Sequence, residues 1–367
     1  MDYTLPLKWH YKPKKGWSSD PNGLVWFKGY YHAFYQHAPN HEIPWQEPFC
    51  WGHARTKDFL TWEELPIALQ GDQPYDQAGC WSGTAIVKDD ILYLFYASVN
   101  TLDEEKMMQT VSVAYSADGV HFEKYEHNPV IAHYPPEGGR DFRDPAVACI
   151  DGRYYCVMAT GNPELRAARL LLYESEDLFD WKLSSILCEW SDAKFAECPS
   201  FMQVGDKCLL ATSVCRLDGS HFFSVMYGSF KDGRFTPEIT GNVDKGPDQY
   251  AGQIFTDHKG RNLLITWIPG WQYARFAEKN VGCLSVPREI TAKDGKIYGY
   301  PVEEVRHLLR DSDPAVKRTA DGFIIERKLR DSIVHKGEIK DLKILRDEYI
   351  VEVFVNGGET VYSALLC

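Results

Sequence analysis

Five short strand-like runs, each entered through a Gly or Asp turn, recur between Phe27 and Ile268: FKGYYHAFYQ, KDDILYLFYAS, IDGRYYCVMAT, VGDKCLLATS and DHKGRNLLITWI. Tyr31, Tyr93, Tyr155, Cys208 and Leu263 mark their common phase and follow one another at nearly constant spacing. A second marker travels with the first. KDFLTWEEL, ADGVHFEKYE, SEDLFDWKL and KDGRFTPE place Trp62, Phe122, Trp181 and Phe235 at the same interval. A repeat of this length, filled with short strands and almost free of amphipathic helix pattern, predicts an all-β chain built from the four-stranded blades of a five-bladed β-propeller. An ordinary β-sandwich with evenly spaced strands is the rival, and it does not explain two markers holding one register. Radial packing also gives the aromatic residues, 14% of the chain, a place between blades, so most of the 11 Trp are expected in the core.

The pattern changes after about residue 310. DSDPAVKRTADG reads as a polar linker, followed by alternating strands in FIIERKL, EIKDLKIL, EYIVEVFVN and ETVYSALL. Two domains are predicted: a catalytic propeller over 1–310 and a short C-terminal β module over 311–367. The module is too small to bury a self-sufficient core and is expected to pack on the propeller.

Composition narrows the classes of partner. Forty basic against 52 acidic residues give a net charge of −12, and no basic run stands out, so neither nucleic acid nor an anionic membrane surface is expected as a partner. Apolar stretches such as Ile91 to Val99 are about half of what a membrane span needs. The first residues, MDYTLPLKWHYKPKKGW, carry no apolar core of a secretory signal, which with ten cysteines lacking any C-x-x-C pair suggests free thiols in the cytoplasm. The 12 His show no metal-ligand spacing, and His32, His37 and His53 read as hydrogen-bonded structural imidazoles. No metal and no cofactor are expected.

Acidic residues become informative when placed on the repeat. Asp20, Asp144 and Glu197 stand equally far ahead of Tyr30, Tyr154 and Lys207 at the start of the second strands, and each opens a stretch containing Pro: SDPNG, RDPAV and ECPSF. If the first strand of every blade lines the axial channel, these carboxylates meet at one mouth of it. The second blade offers Trp81 and Ser82 at that phase, and the fifth offers DQYAG, Asp248 to Gly252. Converging carboxylates repel, and burial with repulsion keeps one of them protonated near neutral pH. Glycoside hydrolysis needs such a set: a proton donor, a nucleophile or base, and a holder of substrate hydroxyls. Arg143 reads equally as an ion-pair partner or a sugar contact.

WSSDPNG (Trp17 to Gly23), FRDP (Phe142 to Pro145) and ECP (Glu197 to Pro199) resemble, in order and spacing, the three hallmark motifs of glycoside hydrolase family 32. FYQ at Phe34 to Gln36, WGHARTKDFLTW, WSGTA, DKGPDQYAGQIF, LSVPREI and VEVFVNGGE extend the resemblance over nearly the whole chain. It implies a five-bladed propeller followed by a β-sandwich, here shortened, and a retaining double-displacement mechanism on β-fructofuranosides such as sucrose or fructo-oligosaccharides. By resemblance Asp20 is the nucleophile, Glu197 the acid/base and Asp144 the residue that grips ring hydroxyls and stabilises the transition state. The acid needs an elevated pKa, which a neighbouring carboxylate and an apolar wall supply. Carried over in the same way as substrate-binding residues are Asn22, Gln36, Trp45, Trp81, Ser82, Arg143 and Tyr250, the last as support for the acid/base, with Cys198 packing beside Glu197. The chain departs from the family at Ser19, where Asn is usual, at Ala196, and in the length of the C-terminal module. A shortened sandwich leaves part of the propeller flank open to homodimerisation. Fructosyl transfer through the same intermediate is the nearest alternative, and a sugar-binding propeller without catalysis the next. An arabinofuranosidase of related five-bladed families fits the WGHA and WSG signals less well.

Overall fold

The hairpin turns that set the repeat are made by residues suited to them. Lys28–Gly29, Asp89–Asp90 and Asp151–Gly152 all take positive φ, the two-residue turn whose twist matches the strands it joins. This computed structural model describes residues 6–271, 279–328 and 330–366; Leu329 of FIIERKL and Cys367 lie outside them.

Five antiparallel blades follow one another. The first holds β1 (Trp17–Phe27), β2 (Tyr30–Ala38), β3 (Cys50–Thr56) and β4 (Trp62–Leu69). The second holds β5 (Gly79–Lys88), β6 (Ile91–Val99), β7 (Gln109–Ser116) and the brief β8 (Glu123–Lys124). Blade three comprises β9 (Phe142–Ile150), β10 (Arg153–Asn162), β11 (Ala167–Ser175) and β12 (Lys182–Ser191). Blade four comprises β13 (Ala193–Val204), β14 (Lys207–Arg216), β15 (His221–Lys231) and β16 (Arg234–Gly241). The fifth is β17 (Tyr250–Thr256), β18 (Asn262–Ile268), β20 (Arg288–Lys293) and β21 (Lys296–Pro301), with the short β19 (Cys283–Leu284) also paired to β18. The first strands contact one another in a closed ring, β1 to β5 to β9 to β13 to β17 and back to β1. The first phase marker thus identifies the second strand of each blade. The second identifies the turn into the fourth strand, where in three blades a hydroxyl and an Asp repeat the same bonds. Thr56, Ser116 and Ser175 accept from the backbone three residues on (2.9, 2.8 and 3.0 Å), and Asp58, Asp118 and Asp177 cap the amides that follow.

Beyond the propeller, β22 (Val316–Thr319), β23 (Gly322–Ile325) and β24 (Ile333–Lys336) form one three-stranded sheet, and β25 (Leu342–Asp347), β26 (Ile350–Val355) and β27 (Thr360–Leu365) a second. The stretch read as a polar linker therefore contains a strand, β22, because Val316 is buried against Phe323 and Ile325. The two sheets enclose one core through Ile344, Val353 and Tyr362. The opposite face of the second sheet, through Leu345 and Phe354, joins the core of blades one and five with Tyr31 and Leu263. Among the described residues no helix is long and apolar enough to cross a membrane.

Candidate active site

Every first strand carries a β-bulge at the same height, where two residues face one on the neighbouring strand. The paired residues are Ser19–Asp20, Trp81–Ser82, Asp144–Pro145, Cys198–Pro199 and Ala251–Gly252. Asp144, Cys198 and Ala251 sit there at φ of 59°, 48° and 51°, a strained conformation at five-fold related sites. Proline suits the second bulge position in two blades because the interrupted ladder asks for no N–H there.

The bulges sort the site into layers, and each layer bonds from blade to blade. Arg143, Glu197 and Tyr250 each directly precede their bulge. Arg143 Nε and Nη2 donate to Glu197 Oε1 (3.0 and 2.9 Å), and the Tyr250 hydroxyl donates to Oε2. In the next layer Asp144 Oδ2 accepts from the Cys198 amide (2.9 Å) and thiol (3.6 Å). In the third, Ser82 Oγ donates to Asp20 Oδ2 (2.8 Å), which the Cys198 thiol also approaches (3.8 Å). Cys198 thus lies against both aspartates. The three carboxylates converge, but from three successive positions along the bulge. Counting from the second strands put them at one phase because Lys207 is the first paired residue after its turn and Tyr154 the second, while β1 carries a further bulge at Gly23–Leu24 that the count cannot see.

Burial lifts the Asp20 carboxyl to about 6, helped by the charge of Glu197 and opposed by the Ser82 hydrogen bond. Asp144 is also pushed up by burial and by Glu197, against the pull of Arg143. Arg143 is itself held by Asp141 (2.9 Å) and Gln109 (3.3 Å), with its guanidinium over the Phe195 ring. Asp20 and Asp144 are thus two neighbouring carboxyls raised chiefly by burial.

An open cavity of about 1320 Å³ covers these groups. Gln36, Trp45, Trp81, Ser82, Arg143 and Tyr250 all line it. Asn22 does not: it is fully buried beneath the floor. With its amide turned to suit its neighbours, Asn22 donates to Ser82 Oγ (3.3 Å) and Pro21 O (3.1 Å) and accepts from Gln36 Nε2 (3.0 Å), so it supports lining residues from below. One wall is aromatic. Trp45, exposed at φ 65°, stacks on Trp271 at 5.8 Å and 9°, and packs on Phe49 and Trp81. Lys194, Arg216, Lys245 and Arg330 also line the cavity. Gln109, Asp141, Phe49, Trp271 and these cations escaped the sequence reading; Asp141, two residues before Arg143 in DFRDP, was the one with a local signal. His32 and His53 bond each other (2.9 Å) and His37 bonds the Trp17 carbonyl (2.8 Å), away from the cavity. Among the described residues no group of His, Cys, Asp and Glu is arranged to hold a metal ion.

The family model for the glycosyl hydrolases family 32 N-terminal domain matches residues 10–301. A sucrose-6-phosphate hydrolase of Escherichia coli is 32% identical over 334 residues, covering 86% of this chain and 68% of that protein. A raffinose invertase of the same species is 34% identical over 322 residues, 83% of this chain and 66% of that one, so the chain spans about two thirds of these relatives. A Bombyx mori GH32 beta-fructofuranosidase, a mutant solved in complex with sucrose, superposes with a TM-score of 0.83 at 26% identity, covering 98% of this chain and 88% of that chain.

Proposed function

The chain belongs to glycosyl hydrolase family 32, and from that premise we propose that it is a retaining β-fructofuranosidase releasing terminal fructose from sucrose or short fructo-oligosaccharides. The observation that carries this reading is the convergence of Asp20, Asp144 and Glu197 at one cavity floor with three different sets of partners. In the first step the Asp20 carboxylate attacks the anomeric C2. The C2–O bond to the leaving sugar breaks, and that oxygen takes a proton from Glu197. Water then attacks C2 of the fructosyl ester, giving a proton to Glu197 and freeing Asp20. Asp144 faces ring hydroxyls, Arg143 and Tyr250 orient Glu197, and the tryptophans supply the apolar wall that excludes water. We assign the catalytic carboxylates to residues 1–310, with 311–367 packed on them and bringing Arg330 to the cavity. Nine free cysteines among the described residues support a reducing compartment.

A second reading concerns the leaving sugar. Lys194, Arg216, Lys245 and Arg330 lining the cavity of a chain of net charge −12 favour an anionic group, and a phosphorylated sucrose would bring one there. Free fructose and free glucose, or glucose phosphate, are measured from sucrose and from sucrose 6-phosphate. Equal release of both halves is expected, with Asp20→Asn and Glu197→Gln slower by about 10³-fold or more. A deficit of fructose would make the enzyme a transferase, and a wild type no faster than the variants would reduce it to a binding protein.

A further inference from the structure

The three-stranded sheet β25–β26–β27 ends on β27, whose outer edge offers unpaired backbone groups that a folded chain must cover. The cover is the loop between β16 and β17, residues 242–249, which leads directly into Tyr250. The Lys245 amide donates to Val361 O (2.8 Å). Further along the same edge the amides of Ser363 and Leu365 donate to the carboxylates of Asp244 (3.1 Å) and Asp248 (2.9 Å). Ser363 Oγ adds a bond to Asp244 Oδ2 (2.6 Å), where the buried Arg288 guanidinium also donates (2.6 Å). Gly246 is pressed so close that a Cβ there would meet Ser363 O at 2.2 Å. The same loop is cavity wall: Asn242, Asp244, Lys245, Gly246, Pro247 and Gln249 line it, and Tyr250 reaches Glu197 from its end.

We propose that the C-terminal module is part of the active site, acting through Ser363 as a positioning residue: β27 templates the loop that aims Tyr250 at Glu197 and shapes the leaving-sugar wall. This rests on the fructosidase reading for its kinetic consequence, but not for its geometry. Two anchors two residues apart on β27 hold two carboxylates four residues apart on the loop, and only Gln249 separates the second of these from Tyr250. Gln249 is in turn fixed by His221, whose Nε2 donates to its carbonyl (3.2 Å). A loop held at three points on one edge has little freedom to place its last side chain elsewhere.

Full-length Ser363→Ala and Asp248→Asn, each attacking one anchor, are crystallised and assayed on sucrose, alone and combined with Tyr250→Phe. In the variant structures the loop is expected to leave β27 and the Tyr250 hydroxyl to leave Glu197, a result read without activity. In kinetics each anchor variant loses about five- to tenfold in kcat/KM, the alkaline limb of its pH profile moves as it does in Tyr250→Phe, and the double variants are no slower than Tyr250→Phe alone. Tyr250 remaining on Glu197 in both variants, or losses that add in full to that of Tyr250→Phe, overturns the proposal. A wild type inactive on fructosides counts against the fructosidase reading and leaves the coordinates to decide this one.

Discussion

Burial raises the Asp20 carboxyl to about 6, so ionising it is harder in the folded chain than in the unfolded one. A carboxyl with a raised folded pKa contributes stability below its unfolded value, near 4, and that contribution is lost as pH climbs through about 6. At neutral pH the charged Asp20 is therefore a net cost, worth up to about 3 kcal/mol. Asp20→Asn should melt at a higher temperature than wild type at pH 7, and the gap should close toward pH 4. A gap independent of pH would mean that the carboxyl is not strained by its site. Catalysis runs the other way, since attack needs the ionised form, and kcat/KM should fall below about pH 6. The sequence revealed the carboxylates because each lies within two residues of a Pro in or next to its bulge. It hid which layer each belongs to, and it hid Asn22's place under the floor, because a one-residue bulge changes facing without changing composition. Gln109, Trp271 and Arg330 reach the cavity from outside the first strands, so the repeat offered no means of placing them.

All six residues of β26, IVEVFV, are buried, and the alternation that suggested a strand with one wet face concealed a charge in the core. Glu352 lies there fully buried, accepting from Arg288 (2.6 Å) and paired with His10 Nε2 (2.8 Å), while His10 Nδ1 meets Asp347 (3.0 Å). The segment preceding blade one is tied in this way to the C-terminal module, with Asp347 also accepting the amides of Lys8, Trp9 and His10. Burial alone would discharge these groups, yet the partners win: His10 is pushed up to about 9, and Glu352 and Asp347 down to about 2. The stabilisation from protonated His10 is complete below its ordinary value near 6.5 and lost as pH rises through about 9. Denaturant titrations of wild type and His10→Gln should therefore differ by about 3 kcal/mol at pH 6 and converge above pH 9. Glu352→Gln takes from the buried Arg288 and His10 one of the two carboxylates each of them has, and should cost about 3–5 kcal/mol at pH 7. Curves for wild type and His10→Gln that stay parallel through pH 9 would show the imidazole to be neutral. Sequence patterning located the strand and could not locate the network, because His10 and Glu352 stand near opposite ends of the chain and share no local pattern.

A propeller must close its ring, and here closure and the module share one interface. Residues ahead of β1 bridge to blade five, Tyr11 to Leu284, while Asn280 bonds Gly16 O (3.0 Å) and Ser18 Oγ (3.1 Å). The same region holds His10 against the module, and the core containing Tyr11 and Tyr31 is completed by Leu345, Phe354 and Val361. The repeat announced five blades because hairpin and turn chemistry recur locally; the docking of the C-terminal module recurs nowhere and was foreseen only from its small size. That size argument has a consequence for the intact molecule. The module's second sheet is covered on one face by β22–β24 and on the other by the propeller, so separation exposes apolar surface on both pieces and leaves Arg288 without Glu352. Burial is worth about 25 cal/mol per Å² of apolar surface, and the core between the module's own two sheets is too small to make up the loss. Residues 311–367 expressed alone should show the circular dichroism of an unfolded chain, and residues 1–310 should aggregate in size-exclusion chromatography. Co-expression of the two pieces should restore a soluble complex, because the contacts that hold the module need no covalent link. A propeller fragment that stays monomeric, folded and fully active by itself would show that ring closure is independent of the module and that the shared interface is incidental.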